Sequence, residues 1–86
     1  METVENLRKR TESNLFNKIK NEYNHINRSI EYDIEEAANN GKYWCNIKIF
    51  IEHDENKNRI IKELSDKGFN VRYYEGIKKL EINWSK

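Results

Sequence analysis

The sequence predicts an α+β fold: a long N-terminal helix, or an αα-hairpin, followed by a β-α-β-β unit whose three strands form an antiparallel sheet in the order 1-3-2. Three observations carry this. Residues 1–40 hold neither glycine nor proline and repeat their apolar residues at helical spacing. Residues 43–51 and 69–84 alternate apolar with polar side chains, as half-buried strands do. The only glycines, Gly41, Gly68 and Gly76, stand at the joints between these stretches.

The helical stripe runs through Phe16, Ile19, Tyr23, Ile26, Ile30, Ile34 and Ala37, with gaps of 3, 4, 3, 4, 4 and 3. Val4 and Leu7 extend it toward the N-terminus, and Asn39-Asn40-Gly41 ends it, since glycine accepts the left-handed cap conformation. Two arrangements satisfy the pattern. A single helix over about residues 3–40 would span roughly 55 Å, wider than a domain of this size, so it must project and bury its stripe elsewhere. The alternative is a bend near Asn24–Ser29, where Asn and Ser are weak helix formers, that folds the segment into a hairpin.

Ile47, Ile49 and Ile51 alternate with Asn46 and Lys48, which predicts a first strand over 43–51. Asp54 is placed to N-cap a short helix with Ile60, Ile61 and Leu64 on its apolar face and Gly68 as its stop. Phe69, Val71 and Tyr73 define a second strand, Glu75-Gly76 a tight turn, and Leu80, Ile82 and Trp84 a third. The hairpin makes strands two and three antiparallel. Placing strand three between one and two gives the 1-3-2 order, with the short helix crossing over as a split β-α-β unit. Ile47, Ile49, Ile51, Phe69, Val71, Tyr73, Leu80, Ile82 and Trp84 then share the buried face.

Eighty-six residues make one domain, 1–86, of a helical segment, 1–40, and the β-α-β-β unit, 43–84. Hydrophobic residues make up 36% and charged residues another 36%, a lean core that oligomerisation often supplements. Net charge is +1, which argues against a dedicated duplex-DNA binder. A single cysteine, Cys45, precludes an internal disulfide and fits a reducing cytosol. No apolar run approaches the ~18 residues of a membrane span, and the start METVENLRKR lacks the apolar region of a signal peptide.

Chemical signatures are sparse. Glu52-His53-Asp54-Glu55 gathers carboxylates and an imidazole, but four consecutive residues on an extended segment cannot all reach one ion, and no paired His or Cys spacing accompanies them. A solvated turn is the simpler reading. Cys45 alternates with Ile47 onto the buried face and has no activating base at a recognisable spacing. His25 stands alone on the helix. No glycine-rich phosphate loop is present, so the sequence points to no cofactor, no metal and no enzyme. What remains is surface. The open sheet face carries Trp44, Lys48, Phe50, Arg72, Tyr74 and Lys79, aromatics interleaved with cations that suit single-stranded nucleic acid or a nucleotide. Glu81 and Asn83 dilute that charge, and the alternative is that the N-terminal helices, or another subunit, cover this face.

Charge is also ordered along the helix. Residues 7–20 hold Arg8, Lys9, Arg10, Lys18 and Lys20 against Glu12, a net of +4. Residues 21–36 hold Glu22, Glu31, Asp33, Glu35 and Glu36 against Arg28, a net of −4. This order opposes the helix dipole, and two such helices side by side and antiparallel, from two chains or from a hairpin within one, would match sign to sign. The expectation is a homodimer or higher even oligomer built mainly on residues 7–30, with Phe16, Ile19, Tyr23, Ile26 and Ile30 in the interface.

From residue 37 onward the chain resembles small bacteriophage and prophage proteins. In these a helix ends in an Ala-Ala-x-x-Gly-like stop, an apolar strand and a short helix follow, and a Leu-x-x-x-Gly-Phe-x-Val hairpin closes on Ile-x-Trp. The matching residues are Ala37, Ala38, Gly41, Leu64, Gly68, Phe69, Val71, Ile82 and Trp84. The resemblance implies phage origin, a place in the host cytoplasm and, since the class includes inhibitors of host defence, a non-catalytic protein that occupies the surface of a bacterial defence protein. The other functions open to it are the nucleic-acid or nucleotide binder above and a virion or assembly component. The motif positions are all core or turn, so no functional residue is carried over.

Overall fold

The computed structural model describes residues 3–85. In chain order they form α1 (Val4–Asn39), β1 (Trp44–Lys48), α2 (Asp54–Asp66), β2 (Asn70–Tyr74) and β3 (Lys79–Asn83). The strands make one antiparallel sheet in the order β1-β3-β2, as the alternation predicts. The hairpin alternative for the N-terminal segment is overturned. α1 is a single helix of 36 residues, and the molecule measures 59 × 23 × 22 Å. Asn24–Ser29 does not bend because Ile26 within it and Ile30 just after it both face the same core and are each 1% exposed. Packing thus outweighs the weak propensity of Asn and Ser.

Caps set the helix ends. The Thr3 hydroxyl accepts a hydrogen bond from the Asn6 amide, which occupies one of the free donors of the first turn of α1. Both helices stop in the same way. After α1, Gly41 (φ +76°) donates to the Ala38 carbonyl and Lys42 to that of Ala37. After α2, Gly68 (φ +95°) donates to Ser65 and Phe69 to Leu64. In each case a left-handed glycine lets two successive amides turn back onto the last carbonyls.

Two rows of side chains cross the inner face of the sheet. Cys45, Ile82 and Val71 form one, Ile47, Leu80 and Tyr73 the other. The central-strand residues Leu80 and Ile82 are completely buried. α1 lies against β1, α2 lies against β2, and the helices touch each other. Ile26, Ile30 and Ala37 of α1 and Ile60 and Leu64 of α2 close the core from above. Trp84, partly buried, meets Phe69 edge to face with centroids 5.9 Å apart at the rim of that core. Among the described residues no helix lies over the outer face of the sheet, since both helices pack on the inner one.

Three local expectations are corrected. The first strand is five residues, not nine. Beyond Lys48 its partner β3 has run out, because the hairpin turns away before Lys79. The Ile49 amide makes one more bond, to the Lys78 carbonyl. The Tyr73 hydroxyl then stands in for a strand, accepting from the Ile51 amide and donating to the Ile49 carbonyl. Ile49 and Ile51 still point inward on this irregular stretch. Second, the turn is not Glu75-Gly76 alone. It spans four residues, 75–78, and the left-handed residue is Lys78 (φ +51°), not Gly76. Third, Asp54 does not cap α2. The N-cap position is His53, which makes no side-chain cap, and the amides leading into the helix find their acceptor on a residue of α1.

Candidate functional site

That acceptor is Glu22. One carboxylate oxygen accepts from the Glu52 amide at 2.8 Å; the other accepts from the His53 amide at 3.2 Å and from Asn56 Nδ2 at 2.8 Å, and lies 3.2 Å from His53 Nδ1. Burial works to raise the pKa of Glu22, but the bonds from Asn56, from the two amides and from the His53 ring together bring it below its ordinary value. Asn56 is 2% exposed and also donates to the Ile19 carbonyl, at 2.8 Å. The carboxylate therefore pins the two amides that lead into α2 and lies near the positive end of that helix's dipole. Glu22, Glu52 and His53 bring their ligand atoms within 4.8 Å of one another, yet both Glu22 oxygens are already committed to amide donors. The cluster reads as a joint between α1 and α2. Sequence reasoning missed it because Glu22 and Asn56 lie 34 residues apart. The available signal was Asn56 itself, one helical turn before Ile60 on the buried stripe of α2.

A second joint follows along the same groove. Tyr23 donates a short hydrogen bond to Glu63, Arg59 Nε bonds the other Glu63 oxygen at 2.8 Å, and the Arg59 guanidinium stacks 3.9 Å from the centroid of the Tyr23 ring. The bond to Glu63, with burial, raises the Tyr23 pKa, and the bonds from Tyr23 and Arg59 lower that of Glu63. Cys45 is buried, and desolvation, with the nearby charge of Asp33, pushes its thiol pKa up. The thiol is thereby held protonated in the core. His25 is exposed on α1.

Two surfaces are left. One is the N-terminal part of α1, where every residue from Thr3 to Lys18 is exposed, including Val4, Leu7, Leu15 and Phe16. At its root lies a groove of about 420 Å³ between α1 and α2, bordered by Phe16, Ile19, Tyr23, Asn56 and Arg59. The five residues expected in an oligomer interface are divided. Ile26 and Ile30 are consumed by the chain's own core and leave no surface for a partner, Ile19 and Tyr23 are partly buried in the groove, and Phe16 is 67% exposed.

The other surface is the outer face of the sheet. Trp44, Lys48, Phe50, Arg72 and Tyr74 are all exposed. Cross-strand register sets Lys48 beside Lys79 and Lys79 beside Tyr74, while Arg72 lies beside Glu81. Lysine ammonium groups stand over three rings: Lys42 over Trp44 at 5.4 Å, Lys78 over Phe50 at 4.7 Å and Lys79 over Tyr74 at 5.7 Å. Lys78, over Phe50, is an addition to the sequence reading, brought there by the four-residue turn.

No protein-family model matches the chain, and neither a curated protein nor a solved structure matches it. Among the described residues no helix is long and apolar enough to cross a membrane.

Proposed function

We propose that the chain is a non-catalytic binding protein that acts by protein–protein contact, with the free part of α1 as its contact element. The observation that carries this reading is the exposure of Val4, Leu7, Leu15 and Phe16 on a helix that continues well past its own domain. An isolated helix of about four turns is marginal in water. One that keeps an apolar stripe is suited to dock into another protein's groove. The resemblance to small phage proteins supplies the setting: inhibition of a bacterial antiviral defence by covering part of a defence protein in the host cytoplasm. The same stripe, with the opposed charge of the two halves of α1, supports self-association into an antiparallel dimer.

The test is plating efficiency. Expression of the chain in bacteria that carry a defence system should restore plaque formation by a phage sensitive to that system. Leu7→Asp with Phe16→Asp should remove the effect while leaving the fold intact. Restoration by the double variant as strong as by the wild type rejects the free helix as the contact element. Light scattering reads self-association separately, with a dimer expected for the wild type and a monomer for the double variant.

A further inference from the structure

The geometry points to a second binding surface, independent of α1: the hairpin corner of the open sheet face, which would take single-stranded nucleic acid. Three departures from local stability rules meet there. Lys48 and Lys79 are direct cross-strand neighbours, and like charges in that position repel. Lys78 adopts φ +51°, a left-handed conformation that costs a residue with a Cβ and that glycine would take freely. Phe50, under the Lys78 ammonium, is 60% exposed. One such feature is unremarkable in a small protein. Three within one corner suggest a surface kept for a ligand at the expense of stability.

The ligand chemistry follows from what the corner presents. Lys48, Lys78 and Lys79 offer three ammonium groups and Arg72 adds a fourth cation along the face; against them stand Glu81, beside Arg72, and Glu75 of the turn, which is paired with Lys57, while Lys42 borders Asp33 and Glu36 at the far edge. The other cluster of cations, Arg8, Lys9, Arg10, Lys18 and Lys20, lies on α1, away from this face. Among the described residues Lys48 and Arg72 have no ion-pair partner. A polyanion fits that charge. Phe50, Tyr74 and Trp44 then select among polyanions, since exposed rings between cations stack unpaired bases while the lysines meet the phosphates. Duplex DNA hides its base faces, and an anionic bilayer has none, so both would use the charge and leave the rings idle.

The test is fluorescence anisotropy with labelled mixed-sequence oligonucleotides of about 12 nucleotides, a length within the site size of such surfaces. Wild-type protein should bind the single strand in low salt and prefer it to the duplex. With three or four phosphate contacts, affinity should fall about 20- to 50-fold between about 50 and 200 mM salt. Phe50→Ala with Tyr74→Ala should weaken binding by at least about fivefold. Lys48→Glu should weaken it comparably while leaving the melting temperature unchanged or higher, because it removes the like-charge pair. That last combination separates a binding role from a structural one. Leu7→Asp with Phe16→Asp should leave oligonucleotide binding unaltered, so that failure of this inference and failure of the α1 reading are distinguishable. No binding at low salt, equal affinity for duplex and single strand, or affinity unmoved by the ring substitutions would each overturn the assignment. Binding to vesicles of anionic lipid without binding to oligonucleotides would do the same.

Discussion

From Ile19 to Ala37 the stripe of α1 is packed against β1 and α2, with Ile26 and Ile30 almost wholly covered; from Val4 to Phe16 the same helix carries apolar residues into solvent. Backbone conformation is alike in the two halves, though the stripe is thinner in the first, where no apolar residue stands between Leu7 and Leu15. The difference is supplied by whatever stands opposite. α2 crosses α1 beside Ile19, Glu22 and Tyr23, and past that point the domain offers nothing further to pack on. An amphipathic pattern therefore reports that a helix has a face to bury, and leaves open whether its own chain does the burying.

The largest expected effect contrasts one residue from each half. Ile30→Ala removes a side chain that is 1% exposed and should lower unfolding free energy by about 2–5 kcal/mol, enough to unfold much of a small domain. Leu15→Ala, at 47% exposure, should change it by no more than about 0.5 kcal/mol. Urea melts at a concentration where the protein is monomeric read both values, and a large loss for Leu15→Ala would show that the free half is covered after all.

The joint between the halves comes next. Asn56→Ala strips donors from Ile19 and Glu22 in a buried place and should cost about 1–3 kcal/mol. Asn56→Leu should recover little of it, because the Glu22 carboxylate would lose a donor and gain an apolar neighbour. Equal stability of Asn56→Leu and wild type would mean that shape alone sets the crossing of α1 and α2.

Acid should act through the same joint. The folded-state pKa of Glu22 lies below its unfolded value. Its contribution to stability is thus complete above the ordinary glutamate range, near pH 4.3, and fades as pH falls through the lowered folded value. Glu22→Gln should be less stable than wild type at neutral pH, with the gap narrowing on acidification. A gap that stays constant across that window would remove Glu22 from the acid response.

The smallest effect belongs to the free half. Lys9 lies 3.7 Å from Glu5 with both side chains largely exposed, and Lys9→Ala should shift stability by less than about 0.5 kcal/mol. Thermal melts of this variant give a baseline against which the packed half can be judged.

Much of this fold was legible because it rests on short-range chemistry. Helix spans follow from spacing and from the lack of breakers, stops from Gly41 and Gly68, strand faces from alternation, and the 1-3-2 order from the direction in which a hairpin must return. Cys45 on the buried face and the exposed set Trp44, Lys48, Phe50, Arg72 and Tyr74 came from the same period of two. Tertiary structure decided everything that joins residues far apart in the chain. Whether α1 bends depended on Ile26 and Ile30 sharing one core across Asn24–Ser29. The anchoring of the start of α2 to α1 depended on Glu22, 31 residues before the His53 amide that it binds. The composition of the hairpin corner depended on which turn residue went left-handed, and that placed Lys78 over Phe50 rather than leaving the conformation to Gly76. The physical reason is the same in each case: local preferences differ by well under a few kcal/mol, so a contact made across the fold can choose among conformations that the local residues leave nearly equal.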